Sequence, residues 1–126
     1  MKALLVSKDI QIEVEFNSSE SARKIYASLP LKGKLNWWEE EIYFYVPLKL
    51  NPKDLTEEVK VGDFAYWPEG PALCIFLGRT PLSTDDKPRP ASPVVIIGKV
   101  DKQDFSLLKK IKSGQIIEVR KRDGSN

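Results

Sequence analysis

The stretch Val61-Gly62-Asp63-Phe64-Ala65-Tyr66-Trp67-Pro68-Glu69-Gly70-Pro71-Ala72-Leu73-Cys74-Ile75-Phe76-Leu77 decides the fold. Phe64-Ala65-Tyr66-Trp67 and residues 72–77 are apolar and aromatic runs, entered through the turn residues Gly62-Asp63 and Glu69-Gly70, and such an arrangement reads as a β-hairpin. On its N-terminal side, Trp37, Trp38, Tyr43, Phe44 and Tyr45 flank the acidic break Glu39-Glu40-Glu41, which predicts another hairpin within residues 35–48. Further back, Ile10, Ile12, Val14 and Phe16 alternate with Gln11, Glu13 and Glu15, the period of a half-buried strand. The apolar run 1–6 pairs with it across Ser7-Lys8-Asp9.

On the C-terminal side, residues 94–100 form a β-branched run, a strand either buried on both faces or bent at Gly98, and residues 115–122 supply a last strand. Asn17-Ser18-Ser19-Glu20 starts a short helix carrying Ala22, Ile25, Tyr26 and Leu29 at helical spacing, and Pro30 stops it. A second helix starts at Asp101 or Gln103-Asp104, carries Phe105, Leu108 and Ile111, and ends in lysines before Gly114. Residues 51–61 are polar and irregular, with one helical turn expected over 55–59. Pro81, Pro88, Pro90 and Pro93 keep residues 79–93 out of a central strand, which leaves a surface loop or a flap. The expected order is β β α β β β β β α β, about eight strands and two short helices in one domain over 1–126. Many short strands argue for a barrel or sandwich, and isolated helices suit the open ends of a barrel.

Composition then removes activities. In 126 residues with 41% hydrophobic content there is one core. With no histidine, the usual neutral-pH general base, the commonest metal ligand and the Ser-His or Cys-His pair are absent. The single Cys74 excludes an internal disulfide, a CxxC pair and a zinc cluster. Twenty Lys and Arg against eighteen Asp and Glu give a net charge of +2, too balanced to point to nucleic acid. No glycine cluster opens a helix, so no phosphate loop is present. The N-terminus has no signal-peptide core and no segment long enough to span a membrane, which leads to the expectation of a soluble, cytoplasmic protein. A high charge content with one Met and one Cys resembles a thermophile's composition.

The run from Val61 to Gly70, then Cys74-Ile75-Phe76-Leu77-Gly78-Arg79-Thr80-Pro81, Pro90-Ala91-Ser92-Pro93-Val94 and Ile97-Gly98-Lys99-Val100, together with Trp38-Glu39-Glu40-Glu41-Ile42-Tyr43-Phe44, resembles the prokaryotic cyclophilin-like family. The resemblance covers most of the chain. It implies a mainly β fold, a closed eight-stranded antiparallel barrel with two capping helices, and it carries no settled biochemical role. Cyclophilins proper isomerise X-Pro bonds with an arginine in a Phe-His-Arg strand motif. Residues 42–47 here, Ile-Tyr-Phe-Tyr-Val-Pro, supply neither histidine nor arginine, and Cys74 and Ile75 stand where polar residues belong. An isomerase needs a donor near the proline nitrogen, and Arg79 or Arg89 reaches it only if the loop folds back.

The candidate ligand-binding residues are Trp38, Tyr43, Tyr45, Tyr66, Trp67, Phe76, Arg79 and Ser92. Trp and Tyr bring large apolar area with a polar handle, which suits a concave site for a small molecule or peptide. In a regular strand Trp37 and Trp38 face opposite ways, as do Tyr66 and Trp67, so one of each pair belongs to the core and its neighbour needs other cover. Glu39, Glu40 and Glu41 read as a solvated turn, and Cys74 as an inert buried thiol. The basic residues Lys109, Lys110, Lys112, Arg120, Lys121 and Arg122 read as solvated faces, since no aromatics interleave them. No catalytic residue, metal or cofactor is expected. The expected partner is a small molecule or a peptide, with neither membrane nor nucleic acid. The alternatives are a degenerate prolyl isomerase and a homo-oligomeric interaction protein.

Overall fold

The computed structural model describes residues 1–122. β1 (Lys2–Ser7) and β2 (Ile10–Phe16) form the first hairpin. Its two-residue turn puts Lys8 at φ 50°, and the register pairs Ser7 with Ile10. In β2 the alternation buries Ile12, Val14 and Phe16 and leaves Gln11 and Glu13 in water. α1 (Glu20–Ala27) begins where the Ser19 hydroxyl accepts from the Ala22 N–H at 3.2 Å, and it buries Ala22 and Ile25. β3 (Leu31–Lys34) and β4 (Asn36–Trp38) follow, then β5 (Glu41–Tyr45), β6 (Asp63–Trp67), β7 (Ala72–Phe76) and β8 (Val95–Val100). A 3-10 turn (Lys102–Asp104), α2 (Phe105–Leu108) and β9 (Ile116–Lys121) complete the chain.

All ladders are antiparallel, in the order β3-β9-β1-β2-β8-β6-β7-β5-β4. The two ends of this sheet, β3 and β4, are consecutive in the chain and separated only by Leu35. One interrupted strand therefore serves both edges, its first part on β9 and its second on β5. At the break, the Leu35 N–H donates to the Gln115 carbonyl and its carbonyl accepts from Gly114. Gly33 comes so close to β5 that a Cβ there would lie 2.7 Å from the Tyr45 carbonyl oxygen. The result is a nearly closed barrel, which removes exposed sheet edges.

The architecture corrects three expectations. Nine strands form rather than eight, because Leu31-Lys32-Gly33-Lys34 pairs with β9 despite having only one apolar side chain to bury. Residues 55–59 make no helical turn; Thr56 instead bridges Val94 in an isolated antiparallel pair. The second helix is four residues long, and the Ile111 carbonyl is taken by the Trp37 indole N–H at 2.8 Å.

The barrel interior holds Leu5, Phe16, Ile42, Phe44, Phe64, Tyr66, Leu73, Ile75 and Ile97, all essentially dry. Fully burying each large side chain contributes about 1.5–3 kcal/mol. Gly98 on β8 pairs with Phe16 on one side and Phe64 on the other, and those rings meet edge to face at 5.4 Å. A Cβ at Gly98 would sit 2.2 Å from the Glu15 carbonyl oxygen. Gly98→Ala is therefore expected to lower stability by about 2–4 kcal/mol through forced separation of β2 and β8; an unchanged urea midpoint would show that the ladder absorbs the methyl group.

Candidate functional site

β7 is buried along its whole length, on both faces. Leu73 and Ile75 point into the barrel, so Ala72, Cys74 and Phe76 point out and require separate cover. A second, smaller apolar cluster forms there, in which Ala65, Cys74, Phe76, Val59 and Val94 pack with Tyr43, Trp67 and Ile96. The proline-rich loop contributes to this cover and is ordered by its own hydrogen bonds. The Thr80 hydroxyl donates to the Arg89 carbonyl, the Ser83 hydroxyl donates to Lys87 at 2.6 Å, and Pro88 and Pro90 are buried.

Along the Glu41–Tyr45 face the cover is incomplete, and a cavity of about 260 Å³ remains. Trp38, Glu41, Tyr43, Tyr45, Trp67 and Cys74 line it from the sheet, and Pro90, Ala91 and Val94 line it from the loop side. Tyr43 stands nearly perpendicular to two neighbouring rings, at 88° to Tyr45 with centroids 5.8 Å apart and at 81° to Trp67 with centroids 6.5 Å apart. The Trp67 indole N–H donates to the Ser92 hydroxyl, which ties the ring to the loop. Tyr45 is 53% exposed and forms the rim.

Glu41 is the acidic residue of this wall. Its side chain sits in a residue only 7% exposed, and Oε1 has no hydrogen-bond partner. Leaving a buried polar atom unpaired costs about 1–3 kcal/mol, so the arrangement does not serve stability. Burial pushes the carboxyl up to about 8 from an ordinary 4.5, an effect the adjacent Cys74 thiol only partly offsets. Burial, with Glu41 beside it, also pushes the Cys74 thiol up, and its Sγ lies 3.7 Å from the Ala65 carbonyl oxygen. The Tyr43 phenol is raised by burial and by Tyr45 and Glu41. At neutral pH burial thus favours the protonated, uncharged forms of Glu41, Cys74 and Tyr43. Among the described residues no three Cys, Asp or Glu side chains converge as a metal site would require.

Comparison with known proteins agrees with the barrel. The cyclophilin-like family matches residues 1–120. The chain belongs to that family. The solution structure of the hypothetical protein AF2241 from Archaeoglobus fulgidus is 34% identical, covers 97% of this chain and 95% of its own, and superposes with a TM-score of 0.80. The structure of McbB in complex with tryptophan is 12% identical, covers 98% of this chain and 46% of its own, and has a TM-score of 0.67, a likeness of fold alone. None of the functionally curated proteins matches the chain. Among the described residues no helix is long and apolar enough to cross a membrane.

On this cyclophilin-like barrel the adjacent aromatic pairs divide as strand geometry requires. Trp37 packs against the interior core and Trp38 lines the cavity; Tyr66 lies inside and Trp67 outside. Tyr66, a sequence candidate for the site, is thereby removed from it. Its hydroxyl donates to the Leu48 carbonyl at 2.7 Å and accepts from the Leu50 N–H at 3.0 Å, anchoring the chain after β5. Phe76 is fully buried in the outer cluster and does not line the cavity. Arg79 is exposed and donates to the Ser83 carbonyl at 3.2 Å, within its own loop. Ser92 acts through Trp67. Trp38, Tyr43, Tyr45 and Trp67 are brought together.

Glu41 is the residue the sequence reading missed. The acidic turn is two residues long, with Glu39 at φ 53°, so Glu41 already belongs to β5, opposite Trp38 and Phe76. The signal available was the period of two, which sets Glu41, Tyr43 and Tyr45 on one face. Because the raised carboxyl takes up protons in the folded state that the unfolded chain has already lost, stability falls as pH rises from about 4.5 to about 8 and levels off above. Glu41→Gln is expected to lack this component, melting at the same temperature as the parent near pH 4 and gaining roughly 3–5 kcal/mol on it by pH 9. Parallel thermal scans that stay superimposed across that range would show the carboxyl to be normally solvated.

Proposed function

We propose that the chain is a binding barrel that holds a small molecule, or one side chain of a peptide, in the outer-face pocket beneath residues 79–94. The observation that carries this reading is a concavity with rings on one wall and loop residues on the other, at a place where the strands would otherwise bury a continuous apolar face. Ligand pockets are apolar clefts with a few placed polar groups, and Glu41 is such a group here. At about 260 Å³ the volume falls just under the range typical of drug-sized ligands, so a single metabolite or amino-acid side chain suits it. McbB, with the same fold, is known in complex with tryptophan.

A degenerate prolyl isomerase is favoured by the family alone. The lining residues include no arginine or lysine to donate toward a proline nitrogen, and Arg79 is engaged in its loop. An interface between copies is supported less, since Trp38 and Trp67, the outward aromatics, are half-covered by their own chain.

Tryptophan emission read against a metabolite panel tests the binding reading. In a Trp37→Phe background the signal comes from Trp38 and Trp67 only, and at least one panel member is expected to shift it; silence across the panel would count against the pocket. In a protease-coupled assay on a proline peptide, no rate above background is expected. A rate abolished by Arg79→Ala or Arg89→Ala would favour the isomerase.

A further inference from the structure

We infer that the group recognised in this pocket is an organic cation bearing N–H donors, such as a guanidinium or alkylammonium, held by Glu41 against the faces of the surrounding rings. The inference rests on the binding reading above and names the chemical class of its ligand. Three observations converge on it. Glu41 lines the cavity and its buried Oε1 has no hydrogen-bond partner, so the ionised carboxylate would need a donor that the described residues do not give it. None of the described residues that line the cavity is a lysine or arginine, so the lining gives that carboxyl no positive charge. Tyr43 stands edge to face with both Tyr45 and Trp67, and the face of an aromatic ring attracts a desolvated cation more than it does a neutral group.

The chemistry disfavours other occupants. An anion would meet four aromatic walls and a carboxyl, with no opposing cation. A neutral acceptor could take a hydrogen from the protonated carboxyl but would gain nothing from the rings beyond burial. A cation instead draws Glu41 into its ionised form, one proton leaving the carboxyl for solvent as the ligand enters. The other titratable groups facing Glu41 are the Cys74 thiol on β7 and the phenols of Tyr43 and Tyr45 on its own strand. Nearby basic groups are directed elsewhere: the Arg79 guanidinium donates to the Ser83 carbonyl, and the Lys109 ammonium lies 4.0 Å from Glu40 rather than at Glu41.

The test is a titration of the full chain with ethylguanidinium and, separately, with its neutral isostere ethylurea and with propionate, at fixed ionic strength, followed by the indole N–H resonances. Trp38 and Trp67 report on the pocket, and Trp37, bonded to Ile111 outside it, is the internal control. Ethylguanidinium is expected to bind about tenfold or more tightly than ethylurea above pH 8. Since the probe stays charged throughout, its affinity should rise by up to about tenfold per pH unit from pH 6 and flatten near 8. Glu41→Gln should remove both the preference and the pH dependence while the Trp37 resonance stays in place. Tyr43→Leu should weaken ethylguanidinium several-fold and ethylurea little. Equal binding of ethylurea or propionate, or an unaltered preference in Glu41→Gln, would overturn the cation and leave the pocket as a binding site. If neither these probes nor any panel member moves Trp38 or Trp67, both the cation and the binding reading fall.

Discussion

The structure depends on β7 being apolar on both faces. A barrel interior can satisfy only one side of a strand, and Leu73 and Ile75 use that side fully. Ala72, Cys74 and Phe76 on the other side must be kept from water by something outside the barrel, and part of that cover comes from the segments around Val59 and Val94. The irregular residues between β5 and β6 and the long proline-rich loop before β8 therefore have a physical task, to close a second small core over the outside of the sheet. Prolines suit it, since they hold the loop without needing ladder hydrogen bonds.

The pocket is where that second core runs out. Beside Phe76 and Cys74 on the outer face, tight packing gives way to a cavity along which rings meet at right angles. Such rings cannot stack flat on one another, so the volume between them stays available. A buried carboxyl with an orphaned oxygen lies in the same wall. A leucine there would pack better and cost less. A glutamate that burdens the folded state is the kind of local inconsistency expected where binding rather than stability shapes a position.

Barrel closure is the other constraint with consequences for the site. The sheet closes because one chain segment, interrupted at Leu35, pairs with β9 before the break and with β5 after it. The same segment then delivers Trp38 opposite Glu41, across the two-residue acidic turn. Trp37, one residue earlier, bonds to the Ile111 carbonyl and fixes the end of the second helical segment to the barrel. The two adjacent tryptophans thus perform separate tasks, one holding the barrel end and one walling the cavity.

Much of this was legible in the sequence because its cause is local. Alternation in residues 10–16, turn residues at Gly62 and Gly70, the Ser19 cap and the prolines after Arg79 act over a few residues, and the elements they imply are present. The splitting of the Trp37-Trp38 and Tyr66-Trp67 pairs between two faces also follows from strand geometry alone, although not which member goes inside. What the sequence could not carry is anything set by register between distant strands. Leu31-Lys32-Gly33-Lys34 has no strand pattern of its own and becomes β3 only because β9 offers it a ladder. Tyr66 and Trp67 are equally aromatic, and it is the register of β6 against β7, which sets Tyr66 beside the inward Leu73, that places the first inside, where its hydroxyl bonds with the Leu48 carbonyl and the Leu50 N–H. Glu41 looked like one of three solvated acids. Its burial arises from β7 beside it and the loop residues around the cavity, which lie more than thirty residues away along the chain. Local hydrogen bonding and periodicity therefore determined the elements, while long-range pairing and the need to cover β7 decided which residues meet in the pocket.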